Sequence, residues 1–175
     1  MRQVLYIFGD LAQSDITWLA DNGRQQSPDP GTVLITAGQT VKSLLIVLEG
    51  ALEVVTPVGA VLAELGAGDI VGEMSLIEQR LPEVSVRARS ATRVLDVPLD
   101  LLRAKLESDS GFAARFYRAL AVLLSDRLRR ANVAAQGGMN EKPGHSELDD
   151  GLLDNLHVAG DRMRRLLALL EGRTV

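Results

Sequence analysis

Apolar residues recur along this chain in two rhythms, and each predicts a different kind of element. Between about residues 31 and 98 they come as short runs rich in Val, Leu and Ile, at 33–35, 44–48, 52–56, 61–65, 70–71, 84–88 and 93–97. Turn residues separate the runs, among them Ala37-Gly38-Gln39, Glu49-Gly50, Pro57-Val58-Gly59 and Gly66-Ala67-Gly68-Asp69. Many short strands at even spacing, punctuated by glycines, predict a sandwich, roll or barrel.

From Leu99 onward the spacing changes to three and four residues. A short helix is predicted through Leu106, with Ser108-Asp109-Ser110-Gly111 ending it. A longer helix follows, carrying Phe112, Phe116, Leu120, Leu123, Leu124, Leu128, Ala131 and Ala135 as one stripe. Arg115, Arg118, Arg127, Arg129 and Arg130 mostly fall on its other faces. Gln136-Gly137-Gly138 begins a linker-like stretch. Beyond it, Ser146-Glu147-Leu148-Asp149-Asp150 is an acidic helix start, favourable against the helix dipole. Leu152, Leu156, Ala159, Met163, Leu166, Leu167 and Leu170 then make a second stripe, with Arg162, Arg164, Arg165 and Arg173 towards its C-terminal end. At the other end, residues 1–23 predict one or two short helices, with Ser14 as N-cap and Asn22-Gly23 as stop. The expected organisation is one domain over residues 1–135, a flexible linker over 136–145 and an amphipathic helix over 146–175.

Composition narrows the function classes. With 175 residues, 46% of them hydrophobic and 24% charged, the chain can bury a core and is not of the disordered class. Aromatic residues are only 3%, so packing rests on Leu, Val, Ile and Ala. A net charge of −4 gives no basic footprint for nucleic acid. The absence of cysteine removes disulfide and thiolate chemistry and is compatible with a reducing cytosol. The short apolar N-terminal stretch breaks at Gly9-Asp10, unlike a signal peptide, and no run approaches the roughly 20 apolar residues that span a bilayer. A cytoplasmic location without a membrane partner is expected. His145 and His157 have no third nitrogen or sulfur ligand nearby and stand in no triad-like context, so neither a metal site nor catalysis is expected.

The run Gly72-Glu73-Met74-Ser75-Leu76-Ile77, followed by Arg80-Leu81-Pro82-Glu83-Val84-Ser85-Val86, resembles the phosphate-binding cassette of cyclic-nucleotide-binding domains. These are the sensor modules of catabolite-activator-type regulators and cyclic-nucleotide-gated proteins. Gly31-Thr32-Val33-Leu34-Ile35 and Leu44-Leu45-Ile46-Val47-Leu48-Glu49-Gly50 are similar to the family's core strands, and the resemblance covers roughly residues 11–135. It implies an α+β fold: a β-roll or jelly roll (a double-stranded β-helix) with short N-terminal helices and a long C-terminal dimerisation-type helix. The amphipathic tail helix is extra. It also implies a non-enzymatic regulatory or sensor module with cAMP, cGMP or another small phosphorylated molecule as ligand, and no other cofactor.

By resemblance, Gly72 lets backbone approach the ligand, Glu73 accepts a hydrogen bond from a ribose hydroxyl, and Ser85 sits near the phosphate. Met74 and Ser75 belong to the helix start whose amides attract anions. In the family, an arginine about ten residues after the Gly-Glu pair grips the phosphate. Equal-length alignment puts Pro82 there, beside Glu83. Charge-assisted hydrogen bonds are worth about 1.5–3 kcal/mol each, so losing a bidentate pair weakens binding on the order of a hundredfold or more. Arg80, two positions upstream and long, is the candidate substitute.

Plainer roles stand beside these. Glu73 is equally read as a helix-start carboxylate held by backbone amides, Arg80 as a solvated arginine, and Ser85 as a small residue the roll tolerates. Arg87 and Arg89 alternate along a strand and are expected to face solvent, while Trp18 packs the first helix onto the roll. Tyr117, Ala121 and Leu124 lie beside Phe116, Leu120 and Leu128, so the helix from Phe112 to Ala135 fits contact with its own roll and with a second copy, a homodimer. The Leu152 to Leu170 stripe either docks on its own domain or binds a protein partner. The second functional reading is therefore a ligand-free adaptor, with the roll as scaffold and the tail helix as binding element. A DNA-binding regulator needs a second recognition helix and a basic surface, and residues 136–175 provide neither, so no DNA partner is expected.

Overall fold

A computed structural model describes residues 8–78, 80–135 and 150–172, with side chains left undescribed at 134–135 and 150–157. The predicted linker and Arg173 lie outside the described residues. Eight strands form two antiparallel four-stranded sheets: β1 (Arg24–Gln26), β2 (Val33–Ile35), β3 (Ser43–Glu49), β4 (Ala51–Val55), β5 (Val61–Gly66), β6 (Ile70–Val71), β7 (Ser85–Ala88) and β8 (Arg93–Pro98). One sheet runs β1-β8-β3-β6 and the other β2-β7-β4-β5. This is the jelly-roll arrangement, with helices added at both ends of the chain.

β3 shows why its sequence is an unbroken apolar run. Alternate residues of a strand point to opposite faces. Leu44, Ile46 and Leu48 enter an outer core made with the helices, while Leu45 and Val47 enter an inner core between the sheets. Buried on both sides, the strand has no solvent face to mark with polar residues. The inner core also takes Ile35, Leu52, Leu65, Val86 and Val94. The outer core is built from Ile16 and Leu19 of the leading helix Gln13–Asn22, Leu102 and Leu106 of the helix Leu99–Ser108, and Phe112, Phe116, Leu120 and Leu123 of the long helix Ser110–Ala135.

Three local expectations are corrected. The leading helix starts at Gln13 with Ala12 as N-cap, and Asp15 rather than Ser14 does the capping: its Oδ2 accepts the Ala12 N–H at 2.7 Å. The long helix starts at Ser110, because Asp109 accepts the Phe112 N–H at 2.8 Å and caps the new helix at the expected stop. β1 has no apolar residue and was not expected as a strand. It exists because its backbone pairs with β8, Arg24 opposite Asp96 through Gln26 opposite Val94, and a backbone ladder does not depend on side-chain hydropathy.

The tail helix Asp150–Glu171 folds back on its own chain. Ala159, Met163, Leu166 and Leu170 are buried in the outer core with Phe8, Leu11 and Ile16. Arg162 Nη1 donates to the carbonyls of Phe8 and Gly9 at 2.8 and 2.7 Å, which fixes the register of this docking. Among the described residues, no helix is long and apolar enough to cross a membrane.

Candidate ligand-binding cavity

The site begins at a turn that only glycine fits. Gly72 follows β6 with φ +93°, and a Cβ there would lie 2.5 Å from the Ser43 carbonyl oxygen. The turn opens the five-residue helix Glu73–Ile77. Leu76 anchors that helix in the outer core, the Ser75 hydroxyl donates to the Arg80 carbonyl at 3.3 Å, and Arg103 donates to the Ser75 carbonyl at 2.9 Å. The short helix is therefore held from both sides.

Beside it lies a cavity of about 550 Å³, within the size range that accepts a small organic ligand. Its walls come from the β2-β7-β4-β5 sheet through residues such as Val54, Ala63 and Val86, from residues 72–75, and from Pro82. The long helix closes it with Arg127, Arg130 and Ala131.

The polar floor is organised by Arg127. Its Nη1 donates to Glu73 Oε1 at 2.8 Å, its Nη2 lies 3.4 Å from Asp69 Oδ1, and Nη2 also donates to the Ile70 carbonyl. One guanidinium thus ties the long helix to β6 and to the cassette. Glu73 is only 6% exposed. Burial pushes its carboxyl above the ordinary value, and the Arg127 charge offsets part of that rise. Asp69 also accepts the Gly66 N–H at 2.9 Å, bracing the turn before β6. Arg127 Nε is buried and makes no hydrogen bond.

Of the residues singled out from sequence, Gly72, Glu73, Met74 and Ser75 line this cavity. Arg80 does not. Its side chain is 83% exposed and lies 3.8 Å from Glu78. Ser85 is outside the lining as well, its hydroxyl accepting the Ala37 N–H at 3.0 Å. Pro82 forms wall, while Glu83 is exposed and outside it. Arg87 pairs with Glu53 on the neighbouring strand β4, and Arg89, just past β7, pairs with Glu64 of β5. The cation nearest the cassette carboxylate therefore comes from the long helix, which sequence reasoning missed. A signal for it existed: Phe116, Leu120 and Leu123 descend one buried face, and Arg127 is the next position on that face. An arginine continuing an apolar face calls for a buried acceptor. Among the described residues, no group of three or more His, Cys, Asp or Glu could hold a metal ion.

Residues 25–109 match the family model described as the cyclic nucleotide-binding domain. Over 102 residues the chain is 36% identical to Glutaminase 1 of Bradyrhizobium diazoefficiens, which covers 58% of this chain and 16% of that protein. It is 33% identical over 102 residues to the voltage-gated delayed rectifier potassium channel KCNH1 of Homo sapiens, covering 57% of this chain and 10% of the channel. The chain thus spans a small part of the curated relatives it matches. A solved cyclic nucleotide-binding domain from Methylobacillus flagellatus superposes with a TM-score of 0.69 at 22% identity, covering 81% of this chain and 85% of that one. That likeness establishes the shared roll and helix arrangement. Residues 25–109, just under half of the chain, are thus similar to the cyclic nucleotide-binding domain, and the roll they form has the same fold.

Proposed function

We propose that this protein is a non-enzymatic regulatory sensor, in which a small ligand fills the roll and the long helix carries the response. The observation that supports it most is the Arg127 contact with Glu73, Asp69 and the Ile70 carbonyl. Any ligand that touches Glu73 also touches the group that ties the long helix to the cavity. A shift requires only that the ligand favour one placement of that helix over another. The ligand contacts proposed are Gly72, Glu73, Met74 and Ser75, a reading supported by their place in the cavity lining. cAMP, cGMP and other small phosphorylated molecules are the first class that the similarity to the cyclic nucleotide-binding domain suggests.

The long helix also supports a homodimer. Tyr117, Ala121, Leu124, Leu128 and Ala131 follow alternating spacings of four and three residues, the seam pattern of paired helices, and Leu128 is 63% exposed. The adaptor reading has less support. Ala159, Met163, Leu166 and Leu170, the face it would offer to a partner, already cover the chain's own outer core.

Thermal-shift measurements on the full chain, against cAMP, cGMP and a broader set of small molecules, test the sensor. A ligand at a hundred times its Kd adds about 2.7 kcal/mol, an easily read rise in Tm. Light scattering on the wild type and on Leu128→Glu tests the seam, with a dimer and a monomer expected. A wild-type chain that is monomeric and answers to no compound would not be this sensor.

A further inference from the structure

The cavity is roomy, and its walls are aliphatic. Ile35, Val41, Val54, Leu62, Val84 and Val86 line it, and no aromatic ring does so among the described residues. Its charged groups are already committed to one another. Arg127 pairs with two buried carboxylates, Glu73 and Asp69, and Asp69 also accepts the Gly66 N–H. At the rim, Arg130 lies 2.8 Å from Asp126, and Glu64 is paired with Arg89. Next to the cassette the wall is the Pro82 ring, and Arg80 extends into solvent.

A cyclic phosphate would bring a negative charge to a floor whose buried guanidinium, Arg127, is already engaged by carboxylates. It must then break an existing ion pair or be desolvated without a partner, and both are costly in a buried site. A purine would find no ring on which to stack. An uncharged apolar molecule meets neither obstacle, and it gains by releasing water from the aliphatic walls. Among the described residues, the Arg127 Nε–H is a buried side-chain donor without a hydrogen-bond partner. An acceptor oxygen on such a molecule would satisfy it.

We propose that the cavity binds an uncharged, predominantly apolar small molecule carrying a hydrogen-bond acceptor for the Arg127 Nε–H, and that it discriminates against cyclic mononucleotides. The inference rests on the sensor reading and narrows its ligand class.

The test titrates the full chain with prodan, an uncharged fluorescent ketone, and in parallel with cAMP and cGMP, read by fluorescence, displacement and thermal shift. Prodan is expected to bind saturably, one per chain, with an affinity that does not change from low to high salt. Ala63→Trp and Ala131→Trp obstruct the cavity from two different elements at exposed positions, and each is expected to weaken prodan at least ~10-fold. Arg127→Lys keeps a cation but deletes the Nε–H, and is expected to weaken the ketone roughly three- to tenfold. The cyclic nucleotides are expected neither to displace prodan nor to raise Tm. If cAMP or cGMP does either, the ligand class is overturned and the sensor reading survives. If neither prodan nor a nucleotide binds, or if both tryptophan variants are folded by circular dichroism and bind prodan like the wild type, the class and the sensor reading fall together.

Discussion

The long helix Ser110–Ala135 is attached to the molecule in two different ways along its length. Up to Leu123 it is held by volume: Phe112, Phe116, Ala119, Leu120 and Leu123 are buried, and the rings of Phe112 and Phe116 stack at 5.6 Å. Arg115 reinforces this half by gripping Asp15 of the leading helix at 2.6 and 2.8 Å. Beyond Leu123 only the partly buried Leu124 still packs on this core, and Leu128 and Val133 are exposed. There Arg127 makes the polar connection to the roll. Two arginines twelve positions apart thus have different consequences. Apolar packing is spread over many contacts that no small molecule can displace together, whereas an ion pair on a cavity floor is a single contact within a ligand's reach. One half is held by volume and the other by a polar connection.

The largest effect expected from this contrast is in the first half. Phe116→Ala should cost about 3–5 kcal/mol in denaturant unfolding, the range for emptying an aromatic site in a core. A loss below about 1 kcal/mol would break the distinction. Arg127→Met should cost about 2–3 kcal/mol, since it strands two carboxylates but removes an arginine that is itself partly exposed. Its sharper signature is local: amide exchange should accelerate beyond residue 123 and stay unchanged over residues 112–120. Uniform acceleration along the helix would mean the two halves are one cooperative unit.

Asp15→Asn should cost about 1–2 kcal/mol at neutral pH, because Asp15 both caps the leading helix and receives Arg115. Burial opposes ionisation of Asp15, but the Arg115 hydrogen bond and the Ala12 amide outweigh it and hold the carboxyl below its ordinary 3.8. Its stabilising effect is therefore present above pH 3.8 and lost as pH falls through the folded value, so the difference between wild type and variant should vanish in acid. Glu73 has the opposite sign. Burial raises its pKa above 4.5, so its contribution is full below that pH and declines as pH rises through the folded value. Glu73→Gln should flatten this weak decline in stability above pH 4.5, measured by denaturant midpoints, and a variant with the wild-type slope would remove Glu73 as its source.

Most of the fold was legible because burial leaves a rhythm. β2 to β8 were found from short apolar runs between turns, and the long helix and the tail helix from three- and four-residue spacing. β1 was not, because Arg24-Gln25-Gln26 joins its sheet through the backbone ladder and a Gln26 side-chain bond to Asp96, neither of which needs an apolar residue. Gly72, Glu73, Met74 and Ser75 were legible as one local motif, and they share the cavity lining. The direction of Arg80 was not legible, since a long exposed side chain obeys no periodicity. Arg127 was hidden for another reason: its carboxylate partners lie 54 and 58 positions away in the chain, and local spacing carries no record of a contact across the fold.

The sole tryptophan offers a practical consequence. Trp18 packs 5.5 Å from Phe112, against the immobile part of the scaffold, and is absent from the cavity wall. Its emission should therefore register melting of the helical shell while staying silent when the roll is filled by a ligand transparent at the tryptophan emission, giving such titrations a built-in optical baseline.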